Sequence, residues 1–509
     1  MFRTSVEDIK VALHELSEIL RATSFVFLVP IVVTLLYFRG DDIVILFERV
    51  MVFLVPFTIV YLIHLLFRRI PCKYEKKTKH IMMAVSVGWI LIAGVGAIPY
   101  FLSGTLSPLD SFFESMSGWT TTGMTMIDYP ENLLEDKKDI LFYRSFTQWI
   151  GGVGIIVLTL IVFLREGTAA IEYYSSEVGS LKLKPSIRKT VNETWKIYIL
   201  YTIACTILLF LVGMDNMDLF DALNHSMTAL PTGGFSTHSE SIYFFQNPMV
   251  ELILIIFMMA GGISFIIHYR AFEGKKSHIS RNIEFRYMLV LILVTTAILF
   301  IVFLPDEGAF NSIRISLFQT VSILTTTGFG TADIAGWPIP TQTILLLLML
   351  IGGSYGSTGS GVKMLRAVVI VKALVYSIKR FTLPKSVMLR LTVGDNTIDY
   401  DEITYVFAFF TTYLLITFVG AFILTVIGYG GYESASASLS AISNVGPCSI
   451  PLFIVNAEGE TVTNDSWFRM PDLGKITLLV LMWVGRLEIF PVLVLFTIFF
   501  KKRRRKKAV

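Results

Sequence analysis

Long apolar runs alternate with short polar connections along most of this 509-residue chain. A helix needs about 20 apolar residues to cross roughly 30 Å of hydrocarbon. Ten stretches fit that test, at about 22–38, 44–67, 80–103, 140–164, 196–213, 249–269, 287–304, 341–375, 403–428 and 474–500. The pattern predicts an all-α integral membrane protein with ten spans. Ahead of them, Ile9, Leu13, Leu16 and Leu20 alternate with Asp8, Lys10, His14, Glu15 and Glu18. That spacing predicts a short amphipathic helix near the membrane surface. No short apolar core follows a basic start, so this segment does not read as a signal peptide.

Between the spans of each later pair lies a segment too short to cross, such as SPLDSFFESMSGW or DLFDALNHSMTALP, followed by small and polar residues. Aligned on one glycine, four such segments read SGWTTTG to Gly123, TALPTGG to Gly234, SILTTTG to Gly328 and SAISNVG to Gly446. Six residues before each glycine stands a hydroxyl: Ser117, Thr228, Ser322 and Ser440. The three residues before it are Thr120, Thr121 and Thr122; Pro231, Thr232 and Gly233; Thr325, Thr326 and Thr327; and Ser443, Asn444 and Val445. The span that follows carries a glycine pair: Gly151-Gly152, Gly261-Gly262, Gly352-Gly353 and, altered, Gly485-Arg486. The unit is therefore span–loop–span, repeated four times after two extra spans. This divides the chain into 1–75 (the amphipathic helix and two extra spans), 76–170, 171–275 and 276–385 (repeats 1 to 3), and 386–509 (repeat 4 with a basic tail).

Each short segment reads as a half-helix that enters the membrane and returns as extended chain. Bare backbone cannot face lipid, where an unpaired peptide group costs several kcal/mol; it is tolerated when buried in protein or lining a water-filled cavity. Four such chains around one axis would present rings of carbonyl oxygens that replace the hydration shell of a weakly hydrated cation. Glycine can take positive φ at the turn without a Cβ clash, and the half-helix C-termini favour positive charge. Threonine–glycine runs also serve as packing motifs, but four in register, each between two spans, favour a pore.

Composition agrees: 54% of residues are hydrophobic and mean hydropathy is +0.67, too apolar for an ordinary soluble protein. Charge is informative by placement. FRRIPCKYEKKTKH, the stretches holding Lys182, Lys184, Arg188 and Lys189, then Arg270, Lys275, Lys276, Arg281 and Arg286, then Lys379, Arg380, Lys385 and Arg390, and the tail KKRRRKKAV make every second connection basic. That predicts both termini in the cytoplasm. Cys72, Cys205 and Cys448 have no metal-like or disulfide-framework spacing. No P-loop, dinucleotide fingerprint or HExxH motif appears, so the chain reads as no enzyme.

Two features below the loops point to gating. GGSYGSTGSGVK, with Gly352, Gly353, Gly356, Gly359 and Gly361 before Lys363, cannot hold a helix, since each glycine costs about 1 kcal/mol relative to alanine. A broken helix at membrane depth implies a water-lined position. Arg486 stands inside an apolar span, where a charge costs at least about 2.5–3.5 kcal/mol and should face the interior or water. It is expected to point into the pore as an electrostatic barrier, or else to lock the repeats by an ion pair. Glu488, two residues on, does not share its helix face. His225 and His238 flank the second loop as pore-mouth groups or structural donors, and the glycosylation-like Asn192-Glu-Thr and Asn464-Asp-Ser read as chance.

With TTTGM, PTGGFSTH, TTTGFGT and SNVGPC, FYRSFTQWIGGVGIIVL after the first loop and GRLEIFPVL in the last span, the chain resembles TrkH-type subunits of the Trk/Ktr/HKT potassium transporter superfamily, over about residues 80–500. The two leading spans favour the TrkH over the shorter KtrB branch. The resemblance implies a potassium filter at Thr121, Thr122, Gly123, Thr232, Gly233, Gly234, Thr326, Thr327, Gly328, Asn444, Val445 and Gly446. It also implies gating by Gly352, Gly353, Gly356, Gly359, Gly361, Lys363 and Arg486. Serine at the first filter glycine tends to mark sodium carriers; Gly123 favours potassium, with a sodium-conducting or sodium-coupled relative as the alternative. Cys448 departs from the commoner small residue after SNVGP. The expected setting is a prokaryotic plasma membrane, a homodimer in lipid, and a cytosolic TrkA-type regulatory ring. Any nucleotide is expected on that ring, with no cofactor in this chain and no nucleic-acid partner.

Overall fold

Each short segment before a loop folds as a helix with its N-terminus satisfied locally. Ser107 and Asp218 cap Pro108–Trp119 and Leu219–Ala229, accepting from the amides of Asp110 and Asp221. Glu433 accepts from the Gly430 amide ahead of Gly431–Ser443 at 3.2 Å. The third short helix is the end of Ile283–Leu324, a 42-residue element kinked at Gly308, whose φ is 71°. These four are the pore helices. All four end as the chain enters a loop of positive φ.

The structure is a computed structural model and describes residues 6–40, 42–71, 77–163, 187–272, 274, 282–384, 391–394, 396–455 and 461–496. Cys72, Lys182, Lys184, Lys275, Lys276, Arg281, Lys385, Arg390 and the tail lie outside these residues, so most of the basic connections used for orientation do too.

Among the described residues six helices are long and apolar enough to cross a membrane: Glu7–Tyr37, Ile43–Arg68, Thr78–Leu102, Val191–Gly213, Ile283–Leu324 and Tyr400–Ile427. Two bent pairs bring the number to eight if each is one span: Pro248–Gly262 with Phe265–Phe272, bent 102°, and Asp472–Arg486 with Phe490–Phe496, bent 111°. The predicted stretch 140–164 is the helix Lys138–Phe163. Stretch 341–375 is split into Ile339–Ile351 and Met364–Thr382, with no helix across the glycine-dense segment.

The N-terminal reading changes. The expected surface helix, Val6–Ser24, continues through a tight turn, Phe25–Leu28, into Val29–Tyr37. Val11, Leu16 and Leu20 are buried, and Asp8 pairs with Lys79 at 2.7 Å and with His80 at 2.8 Å. Asp8 thus meets partners at the start of the third predicted span, and the buried apolar stripe packs on protein.

Among the described residues, apart from two short hairpins, Thr392–Val393 with Asn396–Thr397 and Phe453–Val455 with Thr461–Thr463, the fold is all-α. One apolar cluster joins mainly the N-terminal helices to the first and fourth helix–loop–helix units; a second joins the second and third. Leu36, Ile43, Leu293, Phe418 and Val426 are exposed, as a lipid-facing surface requires.

Candidate cation pathway

At the end of every pore helix the chain makes the same two-step turn. Thr121, Thr232, Thr326 and Asn444 have φ of 52°, 55°, 62° and 53°. Two residues on, Gly123, Gly234, Gly328 and Gly446 have φ of 84°, 78°, 85° and 107°. A left-handed non-glycine residue costs about 1–2 kcal/mol, so four at one register mark a built conformation. The sequence pattern named these four residues for the filter but not their left-handed backbone, because threonine carries no left-handed signal and Asn444 alone has a residue type that favours it.

The residue between the two positions turns its amide back to the pore helix. Thr122 N–H donates to Ser117 O at 2.9 Å, Gly233 to Thr228 O at 2.8 Å, Thr327 to Ser322 O at 2.8 Å and Val445 to Ser440 O at 3.0 Å. A backbone that alternates left-handed residues in this way can turn successive carbonyls to one side. The aligned hydroxyls complete the anchor in three loops. Thr228 Oγ1 and Ser322 Oγ donate to the carbonyls of Phe235 and Phe329 at 2.8 and 2.7 Å, and Ser440 Oγ accepts from Gly446 N–H at 3.0 Å.

The loops close on one another. A methyl group on Gly123 would fall on the Gly233 carbonyl, one on Gly234 on the Thr327 carbonyl, and one on Gly328 on the Val445 carbonyl; on Gly446 it would meet the Thr122 carbonyl at 2.7 Å. Loop 1 thus abuts loop 2, loop 2 abuts loop 3, loop 3 abuts loop 4, and loop 4 abuts loop 1. In each case the oxygen belongs to the residue before the neighbouring glycine. Four chains form one closed ring.

One side chain outside the aligned motif and one within it brace the ring. Gln148 Nε2 donates to Gly233 O at 2.7 Å while its Oε1 accepts from Phe235 N–H at 3.1 Å. Asn444 Nδ2 donates to Thr122 Oγ1 and to Met482 O, both at 2.9 Å. Gln148 sits in FYRSFTQW, but its aim at another repeat's loop is a tertiary fact.

The glycine pairs explain themselves by contact. A Cβ on Gly151, Gly261 or Gly485 would strike the carbonyl of Trp119, Leu230 or Ile442. Each of those carbonyls lies four residues before its loop glycine, so the first glycine of the pair admits the end of its own pore helix. The second packs against the next loop: Gly152 would meet Pro231 at 2.5 Å and Gly262 would meet Thr325 at 3.0 Å.

Directly beneath the second and third loops lies the segment between Ile351 and Met364. Gly352, Gly356, Gly361 and Lys363 have positive φ. Ser360 N–H donates to Thr326 Oγ1 at 2.9 Å, and Thr358 Oγ1 donates to the carbonyls of Leu230 and Gly261 at 3.0 and 2.9 Å. Gly353 faces Gly262 O at 3.1 Å, and Gly359 faces Thr325 O at 2.9 Å, measured from where a Cβ would stand. Lys363 Nζ donates to Gly359 O. The segment also breaks a helix that the sequence reading kept whole. Ser354 N–H takes the Gly262 carbonyl at 2.9 Å and Phe265 N–H donates to Gly356 O at 3.1 Å. Both groups leave the helical ladder, and stretch 249–269 bends there.

Arg486 is fully buried and aims at this segment. Its Nη1 donates to Thr358 O at 2.9 Å and Ser360 Oγ at 3.0 Å; its Nη2 donates to Gly151 O at 2.9 Å. Among the described residues it has no ion-pair partner, so the locking ion pair considered from sequence is not present. The bond to Gly151 does tie the fourth unit to the first. Glu488 pairs instead with Arg366 at 2.8 Å, across a break where Glu488 and Ile489 both have positive φ.

Above the ring, Gly123, Gly234, Gly328 and Gly446 open together into a cavity of about 830 Å³. Asp128, Glu240, Glu307 and Asp333 line it, with Arg144 and Arg314. His238 also lines it, stacked on Phe244 at 3.7 Å. His225 is a buried brace within hydrogen-bond distance of Asp221 O at 2.8 Å and Ser236 Oγ at 2.9 Å. Cys448 lines the cavity as a free thiol. No group of three or more His, Cys, Asp or Glu side chains able to hold a metal occurs among the described residues.

A multi-pass helical membrane protein with a closed ring of re-entrant loops has the build of an ion transport protein. The family model TrkH, described as cation transport protein, matches residues 48–506, and the chain belongs to that family. It is 38% identical over 508 residues to an uncharacterized cation transporter of Methanocaldococcus jannaschii, covering 99% of both chains. It is 34% identical to the Trk system potassium uptake protein TrkH of Escherichia coli K12, covering 84% of this chain and 86% of that one. A crystal structure of the potassium transporter TrkH from Vibrio parahaemolyticus superposes with a TM-score of 0.82 at 30% identity, covering 97% of this chain and 99% of that one.

Proposed function

We propose that this chain takes up potassium across the plasma membrane through the ring of four loops, as a ten-span pore of four repeats with both termini cytoplasmic. The observation that carries the reading is the shared backbone: left-handed Thr121, Thr232, Thr326 and Asn444, each two residues before a positive-φ glycine. Carbonyl rings of this kind suit a large, weakly hydrated monovalent ion. The names of the relatives from Escherichia coli and Vibrio parahaemolyticus support potassium as that ion. Glycine at all four aligned positions favours potassium over the sodium-conducting alternative.

The segment 352–363, Lys363 and Arg486 are the gate in this reading. The protein works as a homodimer, and a cytosolic TrkA-type nucleotide-binding ring moves the gate through the basic cytoplasmic connections. Fluxes of potassium, rubidium and sodium into liposomes holding the purified chain test it. Potassium and rubidium should pass in strong preference to sodium; a sodium preference overturns the reading and selects the alternative.

A further inference from the structure

A second cavity, of about 320 Å³, lies between the two N-terminal spans and the start of helix Lys138–Phe163. Small-molecule sites begin at about 300 Å³. Its level is set by the chain. Asp128 and Pro130 line the cavity above the loop ring, and Glu135, Asp136 and Lys138, a few residues on, line this one. It therefore opens on the same side of the membrane as the mouth of the ring.

Both signs of charge meet in it. Arg39, just past Val29–Tyr37, and Arg49, in the second turn of Ile43–Arg68, line one side. Glu135 and Asp136 line the other. Among the described residues none of these four side chains has a hydrogen bond or an ion pair. The remaining charges are already matched. Asp139 accepts from Thr34 Oγ1 and from Ile140 N–H, both at 3.0 Å. Lys138 lies 3.8 Å from Asp218 and 5.0 Å over the rings of Tyr37 and Phe220.

The flanks are apolar. Leu35 and Leu36 are exposed on the first of these helices, Ile43 and Phe47 on the second. Tyr37 ends the first apolar run, where an amphipathic ring sits at the head-group level. An arginine one turn into an apolar helix lays its stem along that surface and carries its charge to the same level.

We propose that this cavity holds the head group of a phospholipid bearing a primary amine. The phosphate lies on Arg39 and Arg49, the ammonium on Glu135 and Asp136, and the acyl chains run along Leu35, Leu36, Ile43 and Phe47. A guanidinium fork matches two phosphate oxygens. The carboxylates accept the N–H groups of a primary ammonium. A quaternary choline has no N–H to give, and a glycerol head group brings hydroxyls without the positive charge. The site rests on its own residues and is independent of which ion the loops carry.

The test is titration of the delipidated full chain with phosphatidylethanolamine, phosphatidylglycerol and phosphatidylcholine of matched acyl chains, with bound lipid counted by native mass spectrometry. Phosphatidylethanolamine should bind about tenfold more tightly than either other lipid, the equivalent of about 1.4 kcal/mol. Arg39→Gln with Arg49→Gln should remove that advantage and leave the melting temperature without added lipid unchanged, since neither side chain has a protein partner to lose. Glu135→Lys with Asp136→Lys should turn the preference to phosphatidylglycerol, a gain that misfolding cannot produce. Equal affinity of the wild-type chain for the three lipids, a wild-type preference for phosphatidylglycerol, or a preference untouched by either double variant overturns the proposal.

Discussion

Arg144 Nε donates to Glu114 Oε1 at 2.6 Å, and both side chains are at most 3% exposed. Both residues belong to the first unit, and Arg144 carries the link on to the second. Glu114 lies on the first pore helix and also accepts from Met126 N–H at 2.8 Å and Thr125 Oγ1 at 3.0 Å. Arg144 donates on to Ser236 O at 2.6 Å and stacks 3.7 Å from the Phe235 ring, both just past the second loop. Removing one partner of a buried, hydrogen-bonded pair costs about 3–5 kcal/mol. Glu114→Gln should therefore lower the melting temperature in detergent by several degrees and reduce potassium selectivity, since the first and second loops lose their common brace. A variant with unchanged melting and selectivity would show the pair to be dispensable.

The loop glycines differ from other positive-φ glycines in what surrounds them. Gly123 has φ of 84° with the Gly233 carbonyl against it; Gly104 has φ of 66° with nothing within 4 Å. Gly123→Ala meets both the left-handed penalty and a collision, whereas Gly104→Ala meets only the first, about 1–2 kcal/mol. Flux through Gly123→Ala should fall by at least about tenfold, the equivalent of about 1.4 kcal/mol, with Gly104→Ala close to wild type. Equal effects from both would mean that the close approach of neighbouring loops is unimportant.

Arg486 reaches segment 352–363, the gate of the proposed function, and Gly151 through three hydrogen bonds. Each bond to a charged group contributes about 1.5–3 kcal/mol. Arg486→Gln keeps an amide donor but loses the fork geometry and the charge. Rubidium uptake without any regulatory partner should rise about tenfold or more, because a 1.4 kcal/mol change in a closed–open equilibrium is tenfold. Unaltered uptake would remove Arg486 from the gate.

Gln148 satisfies a carbonyl and an amide of the second loop at once. Gln148→Leu leaves both without that partner, at about 1–3 kcal/mol each. The expected signature is a lowered potassium-to-sodium flux ratio with expression and folding retained. A ratio equal to wild type would mean that the loop keeps its shape without this side chain.

The helix–loop–helix order and the register of the four loops were legible because both are periodic in sequence. So was the glycine-dense break, since propensity alone forbids a helix there. Three features were not legible. The break at Gly262–Phe265 depends on hydrogen bonds to a segment about 90 residues away in sequence, Ser354 to Gly356. The Arg366–Glu488 pair joins residues 122 apart. The packed N-terminal helix had the periodicity of a surface helix, and burial of its apolar stripe on protein rather than membrane is a matter of what lies beside it.

By itself the sequence determined that this is a membrane-embedded chain with four related loops, one altered glycine pair and one broken span. Those are local properties of apolar run length, glycine content and repetition. The tertiary structure alone decided that the loops close head to side into a ring, that Thr121, Thr232, Thr326 and Asn444 share a strained backbone, and that Arg486 reaches Gly151, Thr358 and Ser360. A ring is a relation among chains far apart in sequence, and a left-handed threonine is held by its surroundings against its own preference. No single segment can encode either one.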